Sequence, residues 1–89
     1  MPYAFEFDEA KSRANEARHG IDFVQAQEFW LDDNVLRAAS RWEAEPRFLF
    51  IGRIGGKHWS AIVTYRGETI RIISVRRSRA REVEAYEGQ

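Results

Sequence analysis

Six arginines fall within the sixteen positions from 66 to 81 (Arg66, Arg71, Arg76, Arg77, Arg79 and Arg81), and only Glu68 opposes them. A guanidinium presents five N–H donors in a planar fork that fits phosphate oxygens two at a time. The run therefore suits a bound phosphate or a nucleic-acid backbone. Its last part opens a helix expected over residues 79–87, with Ser78 as N-cap. Cations in a first helical turn oppose the helix dipole, at a cost of up to about 1 kcal/mol each. Either they join the free N–H groups in an anion site, or Arg79 and Arg81 point into solvent or pair with Glu82 and Glu84.

A second set of chemical groups lies near the N-terminus. Lys11, Asn15 and His19 are spaced i, i+4, i+8 and share one stripe of a helix. In one account Lys11 is solvated, Asn15 bonds locally and His19 stabilises the helix C-terminus through the dipole. In the other His19 carries protons near neutrality and Lys11 contacts phosphate. Glu45 and Arg47 bracket Pro46 at the entry to a strand, where a stiff backbone holds their side chains near one another. His58, at a strand start, reads as an ordinary residue. Nucleophile–His–acid spacing, a P-loop and GxGxxG are all absent, which argues against acyl transfer, nucleotide hydrolysis and dinucleotide chemistry.

There is no Cys, so disulfides, thiolate chemistry and Cys-ligated zinc are excluded. The two His have no HxxxH spacing, and neither a metal nor a cofactor is expected. Net charge is zero, but residues 1–33 carry eight acids and three bases, residues 37–81 eleven bases and three acids, and residues 82–89 three acids. Such segregation governs partners more than the total does. Twelve of the fourteen bases are Arg, which suits nucleic acid and is also what a GC-rich genome produces. The N-terminus lacks a basic, then apolar, leader and no apolar run approaches 18 residues, so the expected location is the cytoplasm, with no membrane contact.

The elements that must position these groups form one α+β domain over residues 1–89. Residues 3–7 read as a short strand ending at Asp8, an N-cap for a helix over 9–18 that has Ala10, Ala14 and Ala17 on one side and stops at Gly20. Asp22 and Gln25 have the spacing of a capping box for a second helix over 23–30, burying Phe23, Ala26 and Phe29 or Trp30. A strand over 35–41, then strands over 47–53 and 58–65 around Gly55-Gly56, then a hairpin turn at Gly67, give an antiparallel meander. The strand over 69–75 is apolar on both faces near its end and belongs mid-sheet. One face of the meander would carry Phe48, Phe50, Trp59, Ala61, Val63, Tyr65, Ile70 and Ile72. The other would place Arg47, Thr64 and Arg71 in one row and Arg53, His58 and Arg77 in another, with Leu49, Ile51, Ile62 and Ile73 between. Like charges so arranged repel unless an anion or carboxylate sits among them.

Three blocks of the chain resemble BrnT-type toxins. The first is Phe5-Glu6-Phe7-Asp8, then Lys11, Asn15, His19-Gly20-Ile21, Phe23 and Ala26; Phe7 stands for the usual Trp and Arg18 for the usual Lys. The second is Glu45-Pro46-Arg47-Phe48 with Ile51-Gly52, where Pro46 replaces a common second Glu. The third is Arg71-Ile72-Ile73-Ser74-Val75-Arg76 followed by Glu82 and Tyr86, where Val75 replaces the usual Ala.

The resemblance implies a RelE-like fold and an mRNA-cleaving toxin that inhibits translation. It also implies a BrnA-type antitoxin with a ribbon-helix-helix part, through which alone the complex reaches operator DNA. It raises Lys11, Asn15, His19, Glu45, Arg47, Arg76 and Glu82 as functional positions. Metal-free RNA cleavage needs a base, an acid and cations around the charged phosphorus. The expected roles are Arg47 and Arg76 on the phosphorane, Lys11 on phosphate, His19 or Glu45 in proton transfer, and Arg71, Arg77 and Arg79 on the RNA backbone. Alignment of the message by the ribosome is expected to supply part of the rate. Two rival readings remain: a non-catalytic nucleic-acid-binding module, and a docking protein using Leu49, Ile51, Ile62 and Ile73.

Overall fold

The computed structural model describes residues 3–39 and 46–89. Along the chain run β1 (Ala4–Glu6), α1 (Glu9–His19), α2 (Phe23–Ala26), a 3-10 helix (Gln27–Leu31), β2 (Leu36–Ala39), β3 (Phe48–Ile54), β4 (Lys57–Arg66), β5 (Thr69–Arg77) and α3 (Ala80–Glu87). The fold is α+β, with five strands in the order β1-β5-β4-β3-β2. From β2 to β5 it is an antiparallel meander, but β1 lies parallel to β5, pairing Glu6 with Arg71. The sheet is therefore mixed, which corrects the purely antiparallel expectation. β5 is an interior strand, as its doubly apolar sequence requires.

Local signals set the helix starts. Asp8 Oδ1 accepts from the Lys11 N–H at 3.0 Å and Gly20 ends α1 with φ 84°. Asp22 and Gln25 form the expected capping box. The second helix then tightens to 3-10 geometry after Ala26, which lets Phe29 and Trp30 both turn inward. Gly55 and Gly56, with φ of 57° and 85°, make the two-residue turn between β3 and β4.

The core lies between α2, the 3-10 helix and one sheet face. Phe23, Ala26, Phe29 and Trp30 pack on Phe50, Trp59, Ala61, Val63, Ile70, Ile72 and Val75, with Phe48 at the margin. Each fully buried aromatic or aliphatic side chain contributes roughly 1.5–3 kcal/mol. Tyr65, expected in this set, is exposed at the sheet's end.

Helix α1 departs from its expected role. Ala10, Ala14 and Ala17 face solvent, and its buried residues are Ser12 and Asn15. Asn15 Nδ2 donates to Ile21 O at 2.8 Å and to Val75 O at 2.9 Å, while Oδ1 accepts from Val75 N at 3.2 Å. Strand β1 ends at Glu6, opposite Arg71, so the outer edge of β5 is open further along. The carboxamide closes that edge by pairing with Val75 as a neighbouring strand would. Ser12 Oγ accepts from Phe23 N at 2.9 Å and ties α1 to α2. A polar helix is thus fastened by hydrogen bonds where apolar packing is lacking.

Candidate active site

The sheet face opposite the core carries the arginines, and the register there differs from simple alternation. A bulge between Ile62 and Val63 shifts β5, so Val63 faces Ile72 but Ile62 faces Ser74, Ser60 faces Arg76 and Trp59 faces Arg77. An extra residue reverses the face of everything beyond it. Arg76 therefore joins this face, beside Ser60. Arg77, expected there in a row with Arg53 and His58, turns to the core side, with its guanidinium over the Trp59 ring at 5.5 Å and its Nε on His58 O at 3.3 Å. Arg53 does lie opposite His58, while Ser78 takes the third place, its N–H donating to His58 O.

At the end of this face α3 closes over Ser60 and His58. Its N-cap is Arg79 rather than Ser78, whose hydroxyl bonds Ser60 Oγ at 2.7 Å. The expected anion site at this helix start is filled by the protein's own carboxylate. Glu82 Oε1 accepts from Arg79 N at 2.9 Å, Ser60 Oγ at 2.9 Å and Arg76 Nη1 at 2.8 Å; Oε2 accepts from Arg76 Nη2 at 2.8 Å. Because Ser60 gives its one proton to Glu82, Ser78 is the donor to Ser60. The bidentate Arg76 contact, with backbone and Ser60 bonds added, outweighs burial and lowers the Glu82 pKa to about 2. Glu82 raises the pKa of Arg76 in return. At neutral pH this is a fixed ion pair, and Glu82 is too acidic to serve as a general base.

The pair does not exhaust Arg76. Nη1 donates to Glu82 and to Arg77 O, and Nη2 gives one proton to Glu82. The Nε–H and the second Nη2–H, which share the guanidinium's other edge, have no acceptor among the described residues. One edge of the fork is held by a carboxylate and the other can receive a phosphate.

The remaining candidates are distributed around this point. Arg71 is half-buried and bonds Glu6 at 2.9 Å, with Arg66 3.6 Å from the same oxygen. The carboxylates needed between like charges are thus Glu6 and Glu82. Arg47 is half-buried just before β3. Continuing the register by one residue sets it beside Thr64, whose hydroxyl donates to Pro46 O at 2.8 Å. Arg79 is exposed at the start of α3. Lys11 is exposed and His19 half-buried, one helical turn to either side of Asn15 on its stripe. Through Asn15 that stripe meets β5 at Val75, the residue before Arg76. Neither the Lys11 ammonium nor the His19 ring has a hydrogen bond or ion pair among the described residues. Glu45, and with it the suggested Glu45–Arg47 pairing, lies outside the described residues.

His58 proves to be engaged. Its Nε2 lies 2.7 Å from Glu87 Oε2 and its ring meets Tyr86 edge-on at 5.2 Å. Tyr86 donates to Asp32 Oδ2 at 2.5 Å, an oxygen that also accepts from Arg53 N. Burial, then this bond to Asp32, raises the Tyr86 pKa to about 12; the same hydroxyl and two backbone N–H groups hold Asp32 low against its own burial. These contacts pin the last turn of α3, which keeps Glu82 over Arg76. Ser60 carried no sequence signal, because a serine in a strand is ordinary, and Ser78 was marked only as a helix cap, not as a partner of Ser60. Among the described residues no group of three or more His, Asp or Glu could hold a metal ion, and no helix is long and apolar enough to cross a membrane.

Residues 7–82 match the family model described as the ribonuclease toxin BrnT of type II toxin–antitoxin systems. The chain belongs to the BrnT family. The match spans most of the chain and includes both α1, with Lys11 and His19, and the Arg76–Glu82 pair. A BrnT-family protein is a ribonuclease toxin, and membership implies an antitoxin as partner. Comparison with curated proteins finds no match.

Proposed function

We propose that this protein is a metal-independent endoribonuclease that cleaves mRNA in the cytoplasm and is neutralised by a BrnA-type antitoxin. The observation that carries this reading is the divided guanidinium of Arg76, with one edge locked to Glu82 and the other without an acceptor among the described residues, on an arginine-bearing face. In the reaction the RNA 2′-OH loses its proton and its oxygen attacks the adjacent phosphorus. The P–O5′ bond breaks, leaving a 2′,3′-cyclic phosphate, and the departing oxygen takes a proton to become a 5′-OH. The open edge of Arg76 and the cation of Arg47 offset charge on the pentacoordinate phosphorus. Lys11 holds a flanking phosphate, and His19 or Glu45 moves the protons. Arg79 extends the track along the RNA backbone, whereas Arg71, already paired with Glu6, shapes the face more than it grips the strand, and Arg77, turned to the core side over Trp59, lies off the face.

Expression of the wild type should arrest growth and produce new 5′-OH ends in mRNA, and purified protein should cleave in excess chelator. Arg76→Ala should lose both effects while remaining folded; if it cleaves like the wild type, Arg76 is not in the site. A second reading, a module that binds RNA without cutting it, is favoured by one observation: the carboxylate nearest Arg76 is saturated and too acidic to be a base. That reading expects salt-sensitive RNA binding with no cleaved product.

A further inference from the structure

The helical side of the molecule carries a feature that RNA cleavage does not use. Tyr3, Val24 and Leu31 are exposed by 37%, 61% and 72%, and with Phe5 and Trp30 they line one open groove of about 280 Å³. Isolated exposed apolar side chains are ordinary, but a group converging on one groove marks an interaction surface. Trp30, in the groove wall, holds the one buried side-chain nitrogen or oxygen without a hydrogen-bond partner among the described residues, its Nε1. Tyr3 and Phe5 belong to or adjoin β1, one of the two edge strands, whose outer edge pairs with no described strand. An unpaired edge beside an apolar groove is what an added strand requires.

Charge narrows the occupant. The elements forming the groove, β1 and residues 23–31, contain Glu6 and Glu28 and no Lys, Arg or His. Glu6 is already paired with Arg71, whereas Glu28, which lines the groove, is exposed with no ion pair among the described residues. A groove whose one charged lining residue is Glu28 offers no cation to RNA or to anionic lipid. In a two-fold dimer of this chain each Glu28 would face a groove whose one charged residue is again Glu28.

We infer that this groove and the free β1 edge dock an extended segment of the antitoxin, apolar on one side and bearing a Lys or Arg opposite Glu28. The inference rests on family membership for the existence of that partner. The groove lies on the helical layer, opposite the face that holds Arg76, so partner binding here and RNA cleavage there are separable by mutation.

The test uses the full chain and a BrnA-type antitoxin, sought in the reading frame that adjoins its gene. Leu31→Asp, Val24→Asp and Glu28→Lys change exposed side chains and should leave growth arrest by the toxin alone intact. Each should weaken antitoxin affinity at least tenfold by titration calorimetry, and co-expressed antitoxin should no longer restore growth. Wild-type affinity in all three variants would overturn the inference. So would a wild-type dimer that Leu31→Asp converts to monomer with antitoxin affinity unchanged, since the groove would then serve self-association. If the wild-type toxin itself fails to bind this antitoxin, the partner expected from the family is wrong and the docking site falls with it.

Discussion

Glu82 accepts four hydrogen bonds, and its titration has a stability consequence. Its folded pKa of about 2 lies below the ordinary value of 4.5, so the unfolded chain binds the proton more readily. Its contribution is complete above about pH 4.5 and is lost as pH falls towards about 2. The loss should be on the order of 2 kcal/mol in urea unfolding followed against pH. Glu82→Gln should be less stable at neutral pH and should flatten this acid limb. The pair also explains why Arg76 and Glu82 belong together in one motif while neither sequence position hints at the geometry: six residues apart, they meet because α3 turns back from the end of β5 towards β4 and β3.

At the level of elements, two residues set how helices sit on the sheet. Asn15 supplies the strand-like closure of β5, and Asn15→Ala would strand Val75 N, Val75 O and Ile21 O without partners. That should destabilise the fold by about 2–4 kcal/mol in denaturant titration. At Gly52, β3 and the 3-10 helix pack closely: a Cβ there would lie 3.0–3.2 Å from Phe29 atoms. Phe29 is fully buried and cannot swing into solvent. Gly52→Ala should therefore cost about 1–3 kcal/mol and lower the melting temperature. The spacing of Lys11, Asn15 and His19 revealed a shared stripe, but not that its middle member is a structural staple and its flanks are uncommitted.

Over the whole molecule, zero net charge conceals a segregation along the chain, with eight acids and three bases over residues 1–33 and eleven bases and three acids over residues 37–81. The arginine face is largely neutralised from within, by Glu6 on Arg71 and Glu82 on Arg76, so only part of the formal charge is available to RNA. Exposed Arg79 should count fully: Arg79→Ala should reduce the slope of log affinity against log salt by about 0.7 for single-stranded RNA. Arg71→Ala should change that slope less and instead lower stability modestly, by removing the shorter of the two ion pairs that half-buried Glu6 makes. Filter binding across a salt series, with thermal melts alongside, separates the two effects.

The sequence by itself determined the short-range structure: the Asp8 and Asp22 caps, the Gly20 stop, the Gly55-Gly56 hairpin and the apolar alternation of β3 to β5. Each is decided by a few neighbouring residues, so local chemistry suffices. The motif blocks likewise marked the family that the match over residues 7–82 shows. Tertiary structure alone decided the rest. The bulge at Ile62/Val63 exchanged Arg77 for Arg76 on the candidate site, because a period of two cannot reveal where one residue is inserted. The parallel pairing of β1 with β5 joins segments 65 residues apart, and the Glu82 carboxylate fills the helix start that local charge left vacant for an outside anion. The first depends on contact between distant parts of the chain, which no local pattern encodes; the second starts as a capping-box bond from Arg79 N, three residues away, and is completed by Ser60 of β4.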